Sequence, residues 1–233
     1  MIKDKLISKT IYFSLLVQFI TTIVGLHGFF LNIKEKDIIL QDILGLETIV
    51  QIVEATFYIW IIFALKNLQK MTPRRYIDWF ITTPTMLIST IMFMKYQELK
   101  DKGQLEETKL NYKTFFKDNK KNILIIVLLN IFMLLFGYLG EINYINKYLS
   151  IGVGFVFFFL NFYFIYEYYA KYSDLGKQLF YFNLIIWSLY GIAAMTEIKT
   201  KNISYNLLDI VAKNFYGIYI YYKILELTYF NKL

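Results

Sequence analysis

The chain has 233 residues, of which 57% are hydrophobic and 20% aromatic, and its formal net charge is +7. An ordinary soluble core does not absorb so large an apolar share, so a membrane protein is expected. The absence of cysteine excludes disulfides and thiolate metal sites, and a single histidine, His27, argues against a histidine metal centre or triad.

A helical span needs roughly 20 apolar residues to cross a hydrocarbon core about 30 Å thick. The sequence predicts seven spans: Leu6–Leu31, Ile38–Leu68, Pro73–Gln97, Asn122–Leu139, Tyr148–Tyr169, Leu175–Thr196 and Ile203–Leu227. The first apolar run is too long for a signal-peptide core and shows no small-residue cleavage site, so it is read as a retained span. Connections are short except "ELKDKGQLEETKLNYKTFFKDNKK", 24 residues that read as a helix extension followed by an amphipathic stretch outside the lipid. Lysines gather at the ends of the apolar runs, as membrane flanks do, which removes nucleic acid as the reason for the positive charge. The long connection carries most of the excess. The positive-inside rule therefore favours an outside N-terminus, with Lys3, Lys66 and Lys70 among the outer lysines and Lys232 inside with the C-terminus.

Span two carries Glu47, Gln51, Glu54 and Tyr58 at i, i+4, i+7 and i+11, one polar stripe on an apolar helix. Glu47 is read either as wet at an interface or as part of the stripe. Glu54 is central and must face the bundle interior or water. Spaced carboxylates attract cations and replace part of their hydration. In span three, "RRYIDWFITTPTMLIST" places Asp78, Thr82 and Ser89 on one face, with Arg75 one turn before Asp78 to balance an additional carboxylate. Pro84 is expected to kink the span, with the hydroxyls of Thr82, Thr83 and Thr85 satisfying freed carbonyls. In span five, "FVFFFLNFYFIYEYY" is read as packing and lipid contact. Span seven holds Lys213 near its middle, too deep to reach the interface easily, with Asp209 four residues earlier on the same face. One reading is a structural buried ion pair. The other is a covalent attachment point, since a lysine amine condenses with an aldehyde to a Schiff base that then needs carboxylates beside it.

"RYIDWFITTP" in span three and "DIVAK" in span seven resemble the signatures of the microbial (type 1) rhodopsins, and "WSLY" in span six agrees. The resemblance covers the whole chain. It implies an all-α membrane protein, a seven-transmembrane-helix bundle forming one retinal-binding domain over residues 1–233, and a photoreceptor rather than an enzyme. It further implies all-trans retinal as a protonated Schiff base on Lys213. Asp78 would be the primary counterion and proton acceptor, Asp209 the second counterion, and Arg75 part of their hydrogen-bonded cluster. Trp79 and Trp187 would sandwich the chromophore, with Thr82, Thr83, Met86 and Tyr190 also in the pocket. Two positions depart from the family's pumps: Gly191 replaces a proline, and Ala194 an aromatic residue at the ring end. Met86, apolar at the colour-tuning position, implies green absorption.

The span-three motif reads Asp78, Thr82, Ser89. Efficient outward pumps of the family carry a carboxylate at the third position, and serine has no titratable proton near neutral pH. Lys201 lies near where pumps carry an acidic proton-release residue. The stripe in span two resembles that of channelrhodopsins, with Glu54 at a central gate, Glu47 nearer the cytoplasm, Gln51 between them, and Asn214 matching the "KN" of that gate. Gln18, Thr21 and Thr22 of span one are alternatives for completing it. The compact chain looks closest to the viral rhodopsins with an Asp-Thr-Ser motif. The expected function is a light-gated cation channel, the alternatives being a weak outward proton pump or a sensory photoreceptor. Expected partners are the lipid bilayer, monovalent cations or protons, and further copies of the chain in a homo-oligomer. His27 is read as structural, and the basic long connection as a solvated surface.

Overall fold

The computed structural model describes residues 2–63 and 68–230. Residues 64–67 of predicted span two, Lys66 among them, lie outside the described residues, as do Lys232 and the side chain of Lys3, and Leu68, the predicted end of that span, begins the next helix. Seven long helices are present, and no strand occurs among the described residues. They are α1 (Ile2–Gly28), α2 (Ile39–Ile62), α3 (Leu68–Asp101), α5 (Tyr112–Glu141), α6 (Lys147–Tyr168), α7 (Asp174–Ala194) and a last rod built from α8 (Ile198–Asp209) and α9 (Phe215–Leu225). Between α3 and α5 sits a single turn, α4 (Leu105–Thr108). Most of the 24-residue connection is thus helical: α3 runs on through Asp101 and α5 begins at Tyr112. The 34 residues of α3 make a rod about 50 Å long, well beyond the hydrocarbon core.

Local signals explain several boundaries. Asn111 accepts from the backbone N–H groups of Lys113 and Thr114 and completes a capping box at the start of α5. Asn146 does the same for Tyr148 and Leu149 at α6, and Ser173 accepts from Gly176 at α7. Four starts precede the predicted spans by four residues or more: α1 begins at Ile2 rather than Leu6 and α5 at Tyr112 rather than Asn122. The third helix begins at Leu68 rather than Pro73, and the last at Ile198 rather than Ile203, because the polar turns that precede each apolar run are helical too.

The helices close a ring in chain order, with α8 and α9 returning against α1 and α2 while α3 touches α2, α5, α7 and α8. Four of them, beginning at Lys5, Leu68, Tyr112 and Lys147, are long and apolar enough by composition alone to cross a membrane. The last rod is cut into shorter lengths by a π turn, Ile210–Asn214, and the polar stripe interrupts α2.

Burial is inverted relative to a soluble bundle. On α1 the large apolar residues Phe13, Leu16, Ile20 and Ile23 are exposed, whereas Thr10, Ser14, Gln18 and Thr21 are buried. Lipid tails are as apolar as leucine, so association rests on close packing and interhelical hydrogen bonds. Two such bonds join neighbouring rods away from the charged groups: Asn130 of α5 donates to the Thr83 hydroxyl at 2.8 Å, and Ser150 of α6 to the Phe136 carbonyl at 2.6 Å. The aromatic run of α6 packs as expected, Phe157 stacking on Phe132 and Phe136 of α5, with Phe159 and Tyr163 facing outward.

Candidate functional site: a buried lysine among three carboxylates

Four polar stripes meet in the interior, supplied by α1, α2, α3 and the last rod. At their centre Lys213, 2% exposed, donates to Asp78 Oδ2 at 2.7 Å and to Glu54 Oε1 at 2.9 Å. Asp209 Oδ1 stands 3.7 Å away, an ion pair without a direct hydrogen bond. The π turn holding Lys213 begins directly after Asp209, so the pair does not have the regular i, i+4 geometry that the spacing predicts.

Asp209 finds its donors elsewhere. Arg75 Nη1 donates to its Oδ2 at 3.0 Å, Tyr58 to the same oxygen at 2.7 Å, and Tyr190 to Oδ1 at 2.8 Å. Arg75 therefore balances the additional carboxylate, as its position one turn from Asp78 suggested, but it bonds Asp209 and Asn206 rather than Asp78. An unpaired charge this deep would cost several kcal/mol, so the interlocked ion pairs are what lets these groups be buried at all.

Glu47, Gln51, Glu54 and Tyr58 are all buried. The interfacial reading of Glu47 is thereby excluded: its side chain accepts a short hydrogen bond from Ser89. The chemistry absent from the Ser89 side chain is thus brought to it from α2. Gln18 donates to Glu54 Oε2 at 2.8 Å, and Thr21 to Asn214 Oδ1 at 2.5 Å. Thr22 bonds only the Gln18 carbonyl, so of the three alternatives on α1 the first two join the cluster.

Toward the end of the bundle where α8 begins, Asn206 donates to Thr10 at 2.8 Å, and Asn202 to Thr72 at 3.3 Å. These asparagines were missed in the sequence. Asn202, Asn206, Asp209 and Lys213 recur at i, i+4, i+7 and i+11, the same signal that exposed the stripe in α2. Lys201 does not stand alone where an acid was expected: it holds Glu141 of α5 through both carboxylate oxygens, at 2.8 and 2.9 Å.

A mostly apolar cavity starts at Lys213 and runs between Trp79, Thr83, Met86, Trp187 and Tyr190 toward Gly137, Gly154, Gly191 and Ala194. Thr82 does not line it; that side chain is buried and bonds the Asp78 carbonyl at 3.0 Å. Thr83 and Thr85 likewise bond the carbonyls of Trp79 and Ile81, and no described hydroxyl of the three takes the Phe80 carbonyl that Pro84 leaves without its helical donor. Gly191 and Ala194 line the far end of the cavity. His27 lies apart, in contact with Tyr221.

A lysine amine at the closed end of an aromatic slot, facing carboxylates, is a fit for a long polyene aldehyde. The comparisons decide the family. The model of bacteriorhodopsin-like proteins matches residues 9–227. The chain belongs to this family of microbial rhodopsins. Among solved structures this rhodopsin is similar to the viral rhodopsin OLPVRII, with 27% identity and a TM-score of 0.80 over 95% of this chain and 98% of that one. It shares the fold of Exiguobacterium sibiricum rhodopsin, with 16% identity, a TM-score of 0.72 and coverage of 97% and 98%. It also shares the fold of the bromide-bound halorhodopsin from Halobacterium salinarum, with 12% identity, a TM-score of 0.71 and coverage of 95% and 94%. No curated protein matches the chain. Membership makes this rhodopsin a multi-pass integral membrane photoreceptor with retinal as its chromophore, and not an enzyme.

Proposed function

We propose that this rhodopsin is a light-gated cation channel that carries all-trans retinal on Lys213. The observation that carries the channel reading is a continuous column of buried polar side chains between α1, α2, α3 and the last rod. Several of its atoms have no protein partner, among them Gln18 Oε1, Gln51 Oε1, Glu47 Oε2, Asn202 Oδ1 and Asn214 Nδ2. Buried polar atoms of this kind find partners in water or ions, and carboxylates along a path favour cations.

Retinal supplies the light absorption and a change of shape on isomerising. The remaining steps belong to the chain. Asp78, 2.7 Å from the Lys213 nitrogen, accepts its proton and becomes neutral. The charge balance with Arg75 and Asp209 then changes, and the bonds from Lys213 and Gln18 that pin Glu54 across the column are released. Ser89 with Glu47, and Thr21 with Asn214, form a second constriction nearer the α4 end. Met86 beside the chromophore favours green absorption. The lysine-rich α3–α5 connection favours an outside N-terminus and a cytoplasmic C-terminus.

A proton pump is the second reading, and one contact favours it: Glu47 brings a carboxyl group to Ser89 and so supplies an acid on the α4 side of Lys213. Voltage clamp of membranes containing the retinal-loaded protein separates the two. A channel gives photocurrents that reverse with voltage and follow the cation gradient; a proton current of one direction at all voltages establishes the pump instead.

A further inference from the structure

Attachment of retinal changes how many hydrogen bonds Lys213 can donate. In the structure the ammonium divides its N–H groups between Asp78 on α3 and Glu54 on α2, at nearly equal distances of 2.7 and 2.9 Å. Condensation with the retinal aldehyde forms the C=N bond and releases the carbonyl oxygen as water with two of the ammonium hydrogens. The nitrogen then keeps its positive charge and a single N–H, so it bonds one carboxylate at a time. The other is left buried beside the charge without a direct bond to it.

The two carboxylates are not equivalently supported. Glu54 has a second donor, Gln18 Nε2 at 2.8 Å on the other oxygen. Asp78 has none: its Oδ1 is buried without a partner, Thr82 bonds only its backbone carbonyl, and Arg75 is committed to Asp209 and Asn206. Asp209 is saturated by Arg75, Tyr58 and Tyr190 and does not compete for the N–H.

We propose that Glu54 is a counterion of the retinal-bearing nitrogen in its own right, and that Gln18 sets which of the two carboxylates holds the N–H. Glu54 is then the group through which the charge on Lys213 is tied to the buried polar stripe of α2, a role beyond that of a gate. The inference rests on retinal being carried by Lys213 and is independent of whether the protein is a channel or a pump.

Visible and infrared spectra of the purified pigment test it. A carboxylate beside the nitrogen stabilises the ground-state charge, so Glu54→Gln is expected to move the absorption maximum to longer wavelength, as Asp78→Asn does. The light-minus-dark infrared difference spectrum should lose a carboxyl band in Glu54→Gln that Asp78→Asn retains. Gln18→Leu, which leaves both carboxylates in place and removes the second donor of Glu54, should move the maximum the other way, to shorter wavelength, and it serves if Glu54→Gln binds no retinal. An unchanged maximum and unchanged carboxyl bands in Glu54→Gln overturn the proposal, as does an unchanged maximum in Gln18→Leu where Glu54→Gln yields no pigment. Failure of the wild-type chain to form any pigment with retinal overturns the attachment reading itself, so the two failures are distinct.

Discussion

The two sides of the bundle are built on opposite rules. On the side of α1, α2 and the last rod, helices meet through ion pairs and side-chain hydrogen bonds, including Arg75–Asp209, Lys213–Glu54 and Asn206–Thr10. On the side of α5, α6 and α7 they meet through rings: Phe157 on Phe132 and Phe136, Phe162 against Phe180 and Trp187. The first kind of contact pairs charges and polar groups; the second is apolar. Lys213 sits on the seam, with its nitrogen among carboxylates and the aromatic slot opening beside it. A chromophore attached there has its charged end in the polar half and its polyene in the aromatic half, so light absorbed in one half acts on the other.

Substitutions can break this division or sharpen it. The largest effect is expected for Lys213→Ala, which should abolish visible absorbance after incubation with retinal; covalent pigment in that variant would refute the assignment. Arg75→Gln follows. It leaves buried Asp209 with only the more distant Lys213 as a cation and should cost about 3–5 kcal/mol, the scale for removing one partner of a buried pair, read as a lower unfolding midpoint in detergent. On the aromatic side, Gly191→Ala places a methyl group against the Phe155 ring. It should cost about 1–3 kcal/mol as overpacking and disturb retinal binding, while the ion selectivity of any photocurrent stays as in the wild type. A changed selectivity there would mean that the halves are not separate. The smallest effect belongs to the surface pair outside both halves, Lys36–Glu106 at 2.8 Å. The hydrogen bond from Lys36 holds the Glu106 carboxyl below its ordinary range. Its contribution is therefore present above the ordinary carboxylate value and lost as pH falls through the lowered one. Both groups are solvated, so Glu106→Gln should leave the unfolding midpoint within error at neutral pH.

Much of the polar half was legible as spacing. Glu47, Gln51, Glu54 and Tyr58 fall on one helical face by arithmetic alone, and the same arithmetic applied to the last rod brings out Asn202 and Asn206. Pairing was not legible. Ser89 read alone lacks a titratable proton, and only packing shows that α2 delivers the Glu47 carboxyl to it. Likewise Lys201 lies near where the family's pumps carry an acid, and only packing shows that Glu141 of α5 closes on it.

By itself the sequence determined the membrane setting, the seven rods, the family signature and which residues were too polar to face lipid. Those follow from composition and from periodicity within one helix, both local to the chain. Tertiary structure alone decided which carboxylate answers which cation: Arg75 with Asp209, and Lys213 divided between Asp78 and Glu54. Partners on different helices are set by the rotation and depth at which rods pack, and the π turn at Ile210–Asn214 shifts that rotation at Lys213 itself. No spacing within a single helix encodes it.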